Sequence, residues 1–141
     1  MEPLIKIIIA NRISNLQTQN GPQASIDGPI LTMSLPFVPS AASFSVLIML
    51  ANLSVDEEYR IRLTFYSELD PKNLLFDSGE TILGPFRQTG MMEIDNLNLD
   101  MLLQNIPIFQ EGKHIIEVSV NGIIKKESFI INHRPIEREK D

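Results

Sequence analysis

The chain carries two histidines, His114 and His133, and several clustered carboxylates. Imidazole and carboxylate groups bind metals and move protons near neutral pH, so their spacing decides which chemistry is open. The histidines flank a predicted hairpin at its open end, where strand pairing brings them toward each other. A metal site needs a third ligand at matching depth, and no spacing marks one. His114, at a strand start, reads as a partly buried packing residue, and His133 as part of a solvated tail. Asp56, Glu57 and Glu58 precede a strand, and Glu68 and Asp70 follow it. Such a strand is about 30 Å long at the usual rise, so the two acidic groups lie at its opposite ends. Asp77 and Glu80 are placed to join Glu68 and Asp70 across a hairpin, as in sandwich loops that hold calcium. No EF-hand spacing is present, and a solvated acidic loop is the simpler reading.

Nucleophilic and cofactor chemistry find little support. Zero cysteines exclude thiolate zinc, iron–sulfur ligation and a cysteine nucleophile. There is no nucleophile-elbow serine motif and no phosphate- or dinucleotide-binding glycine pattern. Ser78-Gly79-Glu80 reads as a turn. The expectation is a protein that is not an enzyme and needs no cofactor. Arg60, Arg62, Lys125 and Lys126 sit on predicted outer strand faces, and Tyr66 shares a face with Arg60 and Arg62. Stacking on single strands needs exposed aromatics beside positive charge. The chain has no tryptophan, only two tyrosines and a net charge of −6, so neither a nucleic-acid nor a membrane partner is expected. The N-terminal run Ile7-Ile8-Ile9-Ala10 is too short for a signal-peptide core. No later apolar run approaches the ~20 residues that span a bilayer, so a cytoplasmic location is expected.

The elements that must position these residues read as strands. Isoleucine is the commonest residue at 20 and alanine occurs only five times, a balance that suits pleated surfaces better than helices. Nine prolines and seven glycines cut the chain into short segments, the pattern of an all-β sandwich. Strands are expected over 4–13, 29–35 (a short edge strand), 43–50 and 58–67, with a polar loop over 17–29. Ser54-Val55-Asp56-Glu57 resembles a capping box and predicts a single helical turn. In 58–67, Tyr59, Ile61, Leu63 and Phe65 alternate with Arg60, Arg62, Thr64 and Tyr66, which gives one core face and one wet face. A short strand starts over 74–76, and Gly84-Pro85 breaks the next segment. Residues 91–103 fit neither period and read as a strand entering an irregular loop that ends at Pro107. The strand 114–120, the turn Asn121-Gly122 and the strand 123–131 form the strongest hairpin signal. One domain is expected over 1–132, followed by a charged tail over 133–141.

Five patches stand out: Ile5-Lys6-Ile7-Ile8-Ile9-Ala10-Asn11-Arg12, Pro36-Phe37-Val38-Pro39 before the strand from Phe44, Asn105-Ile106-Pro107-Ile108-Phe109, Glu111-Gly112-Lys113-His114 and Val118-Ser119-Val120-Asn121-Gly122. Together they resemble an uncharacterised family of small bacterial proteins with an immunoglobulin-like β-sandwich, a domain of unknown function. The resemblance implies an immunoglobulin-like antiparallel β-sandwich of about seven to nine strands and a bacterial or phage-like source. It implies no activity. His114 stands where sandwich proteins often carry a tyrosine.

The remaining signal is a scarcity of charge. Between Ile13 and Val55 the only ionisable side chain is that of Asp27. Alternation places Leu47 and Met49 on the outer face of their strand and Ile115 on that of another. An apolar outer face marks either an interface or a surface covered by the chain's own loop, here residues 17–29 or Phe37 and Val38. The candidate interface comprises Phe37, Val38, Leu47, Met49 and Ile115. The functional expectation is a non-enzymatic interaction or structural module, a homo-oligomer or one with a protein partner. The alternative is a small-ligand or carbohydrate-binding sandwich that uses loops at one end, Asp70 to Asp77 with Glu111 to His114.

Overall fold

The computed structural model describes residues 2–19, 21–90, 94 and 96–134, except the side chains of 15–18, 21, 22 and 89. Ten strands are present among them: β1 (Leu4–Thr18), β2 (Gly21–Pro29), β3 (Thr32–Leu35), β4 (Ser40–Ala51), β5 (Tyr59–Ser67), β6 (Phe76–Asp77), β7 (Thr81–Leu83), β8 (Asn96–Ile108), β9 (Gly112–Val120) and β10 (Ile123–His133). A 3-10 turn spans Phe86–Thr89. The strands form two sheets. One runs β2-β1-β4-β8, and the other β3-β10-β9-β5-β6, with β7 also on β5. All pairings are antiparallel except β3 with β10, which is parallel. The β-rich composition therefore produces a β-sandwich, as expected.

The core lies between the sheets. Val46, Ile48 and Leu50 of β4 face Ile61, Leu63 and Phe65 of β5 and Ile116, Val118 and Val120 of β9 in one buried cluster. An aromatic group closes one end. Phe44 meets Phe65 and Phe129 edge-on, with centroids at 5.2 and 5.3 Å, and Phe65 stacks on Phe129 at 5.8 Å. Edge-to-face and offset-stacked rings are the favoured aromatic arrangements, so this group is a rigid support for its neighbours.

Four local expectations change. The predicted loop over 17–29 is largely strand β2, paired with the second half of β1 from Ala10↔Pro29 to Thr18↔Gly21. Proline and glycine there end the hairpin or sit on an outer edge, where a missing N–H costs little. The expected helical turn at Ser54 is a turn in which the Ser54 hydroxyl accepts the Asp56 N–H at 3.2 Å. The irregular stretch before Pro107 is continuous strand β8, with residues 91–93 and 95 of that reading outside the described residues. A bulge between Ala42 and Phe44 and a positive φ at Asn105 reset its alternation, so Leu103 is buried, and so are Ile106 and Ile108. The last strand runs on to His133, which pairs with Leu35 and is not part of a tail. Residues 135–141 lie outside the described residues.

Candidate functional site

His114 is the inward residue near the start of β9, opposite Ser67 at the end of β5. It is fully buried, more so than expected for a packing residue at a strand start. Its ring lies tilted against Phe65 and Phe129, with centroids at 5.6 and 6.3 Å. Nδ1 donates to the Gly112 carbonyl at 2.9 Å, because a carbonyl can only accept. The neutral ring thus presents Nε2 as a bare acceptor. Among the described residues, Nε2 is the only buried side-chain nitrogen or oxygen without a hydrogen-bond partner. Burial pushes the imidazole below its usual titration range, and the bond to Gly112 opposes that in part.

His114 and Ser67 line a cavity of about 150 Å³ at this end of the sandwich. The β5–β6 connection contributes Asp70, Asn73 and Leu75, and the β8–β9 connection contributes Phe109 and Gln110. Backbone bonds fix the first connection: Asp70 N–H to Ser67, Asn73 N–H to Asp70 and Leu75 N–H to Phe65. The Ser67 hydroxyl accepts the Leu69 N–H at 3.3 Å. The two connections meet at the rim, where Glu68 N–H bonds the Lys113 carbonyl and Lys113 pairs with Glu68 at 3.2 Å. Among the described residues no lysine, arginine or second histidine lines the cavity. His114 backs the cavity with no accessible surface of its own, and the polar side chains around it are the Ser67 hydroxyl, the Asp70 carboxylate and the amides of Asn73 and Gln110.

The other chemistry-bearing residues are dispersed. Arg62 forks onto Asp77, whose carboxyl is drawn down to about 2 by that guanidinium and by the Gly79 N–H. Arg60 meets Glu80 at 3.0 Å, and Arg87 holds the Asp56 carboxyl below its usual range. The acids expected to gather around calcium are thus each drawn to their own cation, and Asp70 stays apart. Among the described residues no three His, Cys, Asp or Glu side chains form a metal-holding group. Tyr66 is buried on the outer sheet face and donates to Glu117 at 3.0 Å, so its ring is no stacking platform. His133 Nε2 lies 3.0 Å from the Pro36 carbonyl, and its backbone N–H bonds Glu111.

The candidate interface residues do not form one patch. Leu47 is fully buried in a second small cluster with Ala10 and Ile13, against which Ile8, Ala24, Ile26 and Met49 pack. The long β1–β2 hairpin supplies that cover. Ile115 alternates with buried His114 and Ile116, which places it on the outer face of the other sheet. Val38 packs against the core, and Phe37 alone is widely exposed, at 61%. Of the loops named from the sequence, Asp70, Asn73, Leu75 and His114 line the cavity, while Ser67, Phe109 and Gln110 lie outside them, and the state of His114 was missed. The unusual histidine in a tyrosine-like position was the available signal.

No family model and no curated protein matches the chain. Among solved structures it is similar to a Pseudomonas fluorescens alkylpurine DNA glycosylase, AlkC, bound to DNA containing an abasic site analog, at 10% identity and a TM-score of 0.48. The match covers 91% of this chain and 30% of that one, so the chain spans under a third of its neighbour's length. The expected non-enzymatic, self-associating module with a protein partner and no nucleic acid loses its basis here, because Leu47, on which self-association turned, is covered by the chain itself. At this degree of likeness no DNA chemistry passes to the chain. Among the described residues no helix is long and apolar enough to cross a membrane.

Proposed function

We propose that this sandwich binds a small hydrogen-bond-donating molecule in the cavity beneath Asp70 and Phe109, with His114 as its buried recognition group. The observation that carries the reading is the partnerless Nε2 of a fully buried histidine lining that cavity. A buried acceptor left unmade costs about 1–3 kcal/mol, and a donor ligand that parts the atoms covering Nε2 recovers that cost on binding. The volume suits a molecule of a few heavy atoms, since an engineered apolar cavity of similar size holds benzene. Binding is favoured over turnover because Ser67 and His114 are not hydrogen-bonded as a nucleophile and its base.

A fragment set containing amines, alcohols, amides and acids, screened by amide NMR, tests the reading. Shifts confined to residues 67–75 and 109–114, and lost in His114→Phe, are expected. Shifts elsewhere, or none, contradict it. We also propose that the sandwich is immunoglobulin-like, as the resemblance implies. The β1-β4-β8 and β5-β9-β10 pairings, with β3 crossing over to run parallel to β10, support that topology.

A further inference from the structure

We infer that a second cavity, between β8 and the β6–β7 edge, is a binding site for a small uncharged aromatic molecule. It measures about 180 Å³ and shares no lining residue with the His114 cavity. Ile48, Ile61 and Leu63, all buried, form its floor. Leu83, Leu99 and Met101, all half-buried, form its walls and leave their apolar surface open to a ligand. The strand pattern explains why the space exists. Leu99 and Met101 pair with the core residues Ile48 and Val46, so they point inward from the edge of their sheet. Opposite them the second sheet is interrupted. β7 pairs with β5 over 59–61 and β6 over 64–65, and Ser78 lies between the two. Its N–H bonds the Leu63 carbonyl at 2.9 Å, and its hydroxyl accepts the Leu63 N–H at 2.8 Å. A short serine side chain thus stands where a core residue would fill the gap. The same hydroxyl donates to the Gly79 carbonyl at 2.8 Å, so its proton is already engaged. The other polar lining residues, Thr81 and Asp100, are exposed and stand at the mouth. A polar or charged ligand loses its hydration in such an interior without compensation. An engineered cavity of about 150 Å³ with aliphatic and aromatic walls stays dry and takes up benzene, so this volume and lining suit one six-membered ring. Met101 favours an aromatic ring, because a thioether sulfur is attracted to the ring edge.

The test is a titration of the full chain with benzene, cyclohexane and dioxane, three six-membered rings, read by the NMR methyl signals of the floor and wall residues. Benzene is expected to shift those signals alone, with a Kd of about 1 mM or tighter, and dioxane to bind at least about tenfold more weakly. Leu99→Trp puts a side chain of its own into the space and is expected to abolish benzene binding. Met101→Leu keeps the volume and removes the sulfur, so benzene is expected to weaken about threefold and cyclohexane not at all. Shifts scattered over the surface, dioxane binding equal to benzene, no shift with any probe, or undiminished binding in Leu99→Trp overturns the site. Equal effects of Met101→Leu on benzene and cyclohexane overturn the aromatic assignment. Should Leu99→Trp fail to fold, the contrast between benzene and dioxane and the Met101→Leu series decide between these outcomes.

Discussion

The Nδ1 of His114 lies 2.9 Å from the carbonyl oxygen of Gly112, two residues earlier on the same strand. That bond fixes which nitrogen carries the proton. It leaves Nε2 as a lone-pair acceptor buried inside the protein, on a ring that lies tilted against Phe65 and Phe129. A residue chosen only for packing at this place would be apolar, like its alternating neighbours Ile116 and Val118.

The orphaned nitrogen is a stability cost that a phenyl ring does not carry. His114→Phe extends the Phe65–Phe129 stack and removes the unpaired acceptor, although the Gly112 carbonyl loses its donor. The unfolding free energy is expected to rise by about 1 kcal/mol or stay level. Urea denaturation at neutral pH measures it, and a loss beyond 1 kcal/mol would show that the imidazole is satisfied in solution.

Stability also follows pH with a definite sign. Burial lowers the folded-state pKa of His114 below the unfolded 6.5, so the neutral ring is the form that folding favours. Its contribution is complete above 6.5 and is lost as pH falls through the depressed folded value. Asp77, drawn to about 2, acts in another window: its contribution is present above 3.8 and lost toward about 2. Melting temperatures between pH 8 and 5 are expected to fall in the native chain and to be flatter in His114→Phe. Parallel curves for the two proteins would contradict the assignment.

Burial of Leu47 beneath the β1–β2 hairpin separates it from the exposed residue once grouped with it. Leu47→Ala is expected to cost about 2–5 kcal/mol, the range for a buried leucine cavity. Phe37→Ser, at a side chain 61% exposed, is expected to stay within about 0.5 kcal/mol. Denaturation curves of the two variants decide the point, and similar effects would mean that the hairpin does not cover β4 in solution.

The alternation of Tyr59 to Phe65, and Asn121-Gly122 between two apolar runs, made β5, β9 and β10 legible because each has one buried face and a marked turn. The sandwich followed from them. Strand β2 was hidden because Asn20, Gly21, Pro22, Gly28 and Pro29 are loop-forming residues, and only pairing with β1 makes an edge strand of that segment. Leu47 and Met49 were correctly placed on an outer face, but a covering hairpin and a free surface leave the same residue pattern. The loops named from the sequence hold Asp70, Asn73, Leu75 and His114 of the cavity but not Ser67, Phe109 or Gln110. The state of His114 could not be read from the sequence, since it depends on a carbonyl two residues away and on rings from β5 and β10.

Two glycines with similar backbone angles should respond differently to a methyl group. Gly84 has φ +84°, and an added Cβ would lie 2.7 Å from the Glu57 carbonyl oxygen. Gly122 has φ +83° with open space around it. Gly122→Ala is expected to cost about 1 kcal/mol from backbone strain alone, and Gly84→Ala about 2–3 kcal/mol from strain plus displacement of the β5 approach. Thermal unfolding of both variants orders them, and an equal loss would show that the Glu57 backbone gives way freely.

The most direct test of the account is the protonation state of the His114 ring, read from long-range nitrogen–proton correlations in the full chain above neutral pH. The account predicts a proton on Nδ1 and a bare Nε2. A proton on Nε2, or a charged ring at that pH, would contradict it.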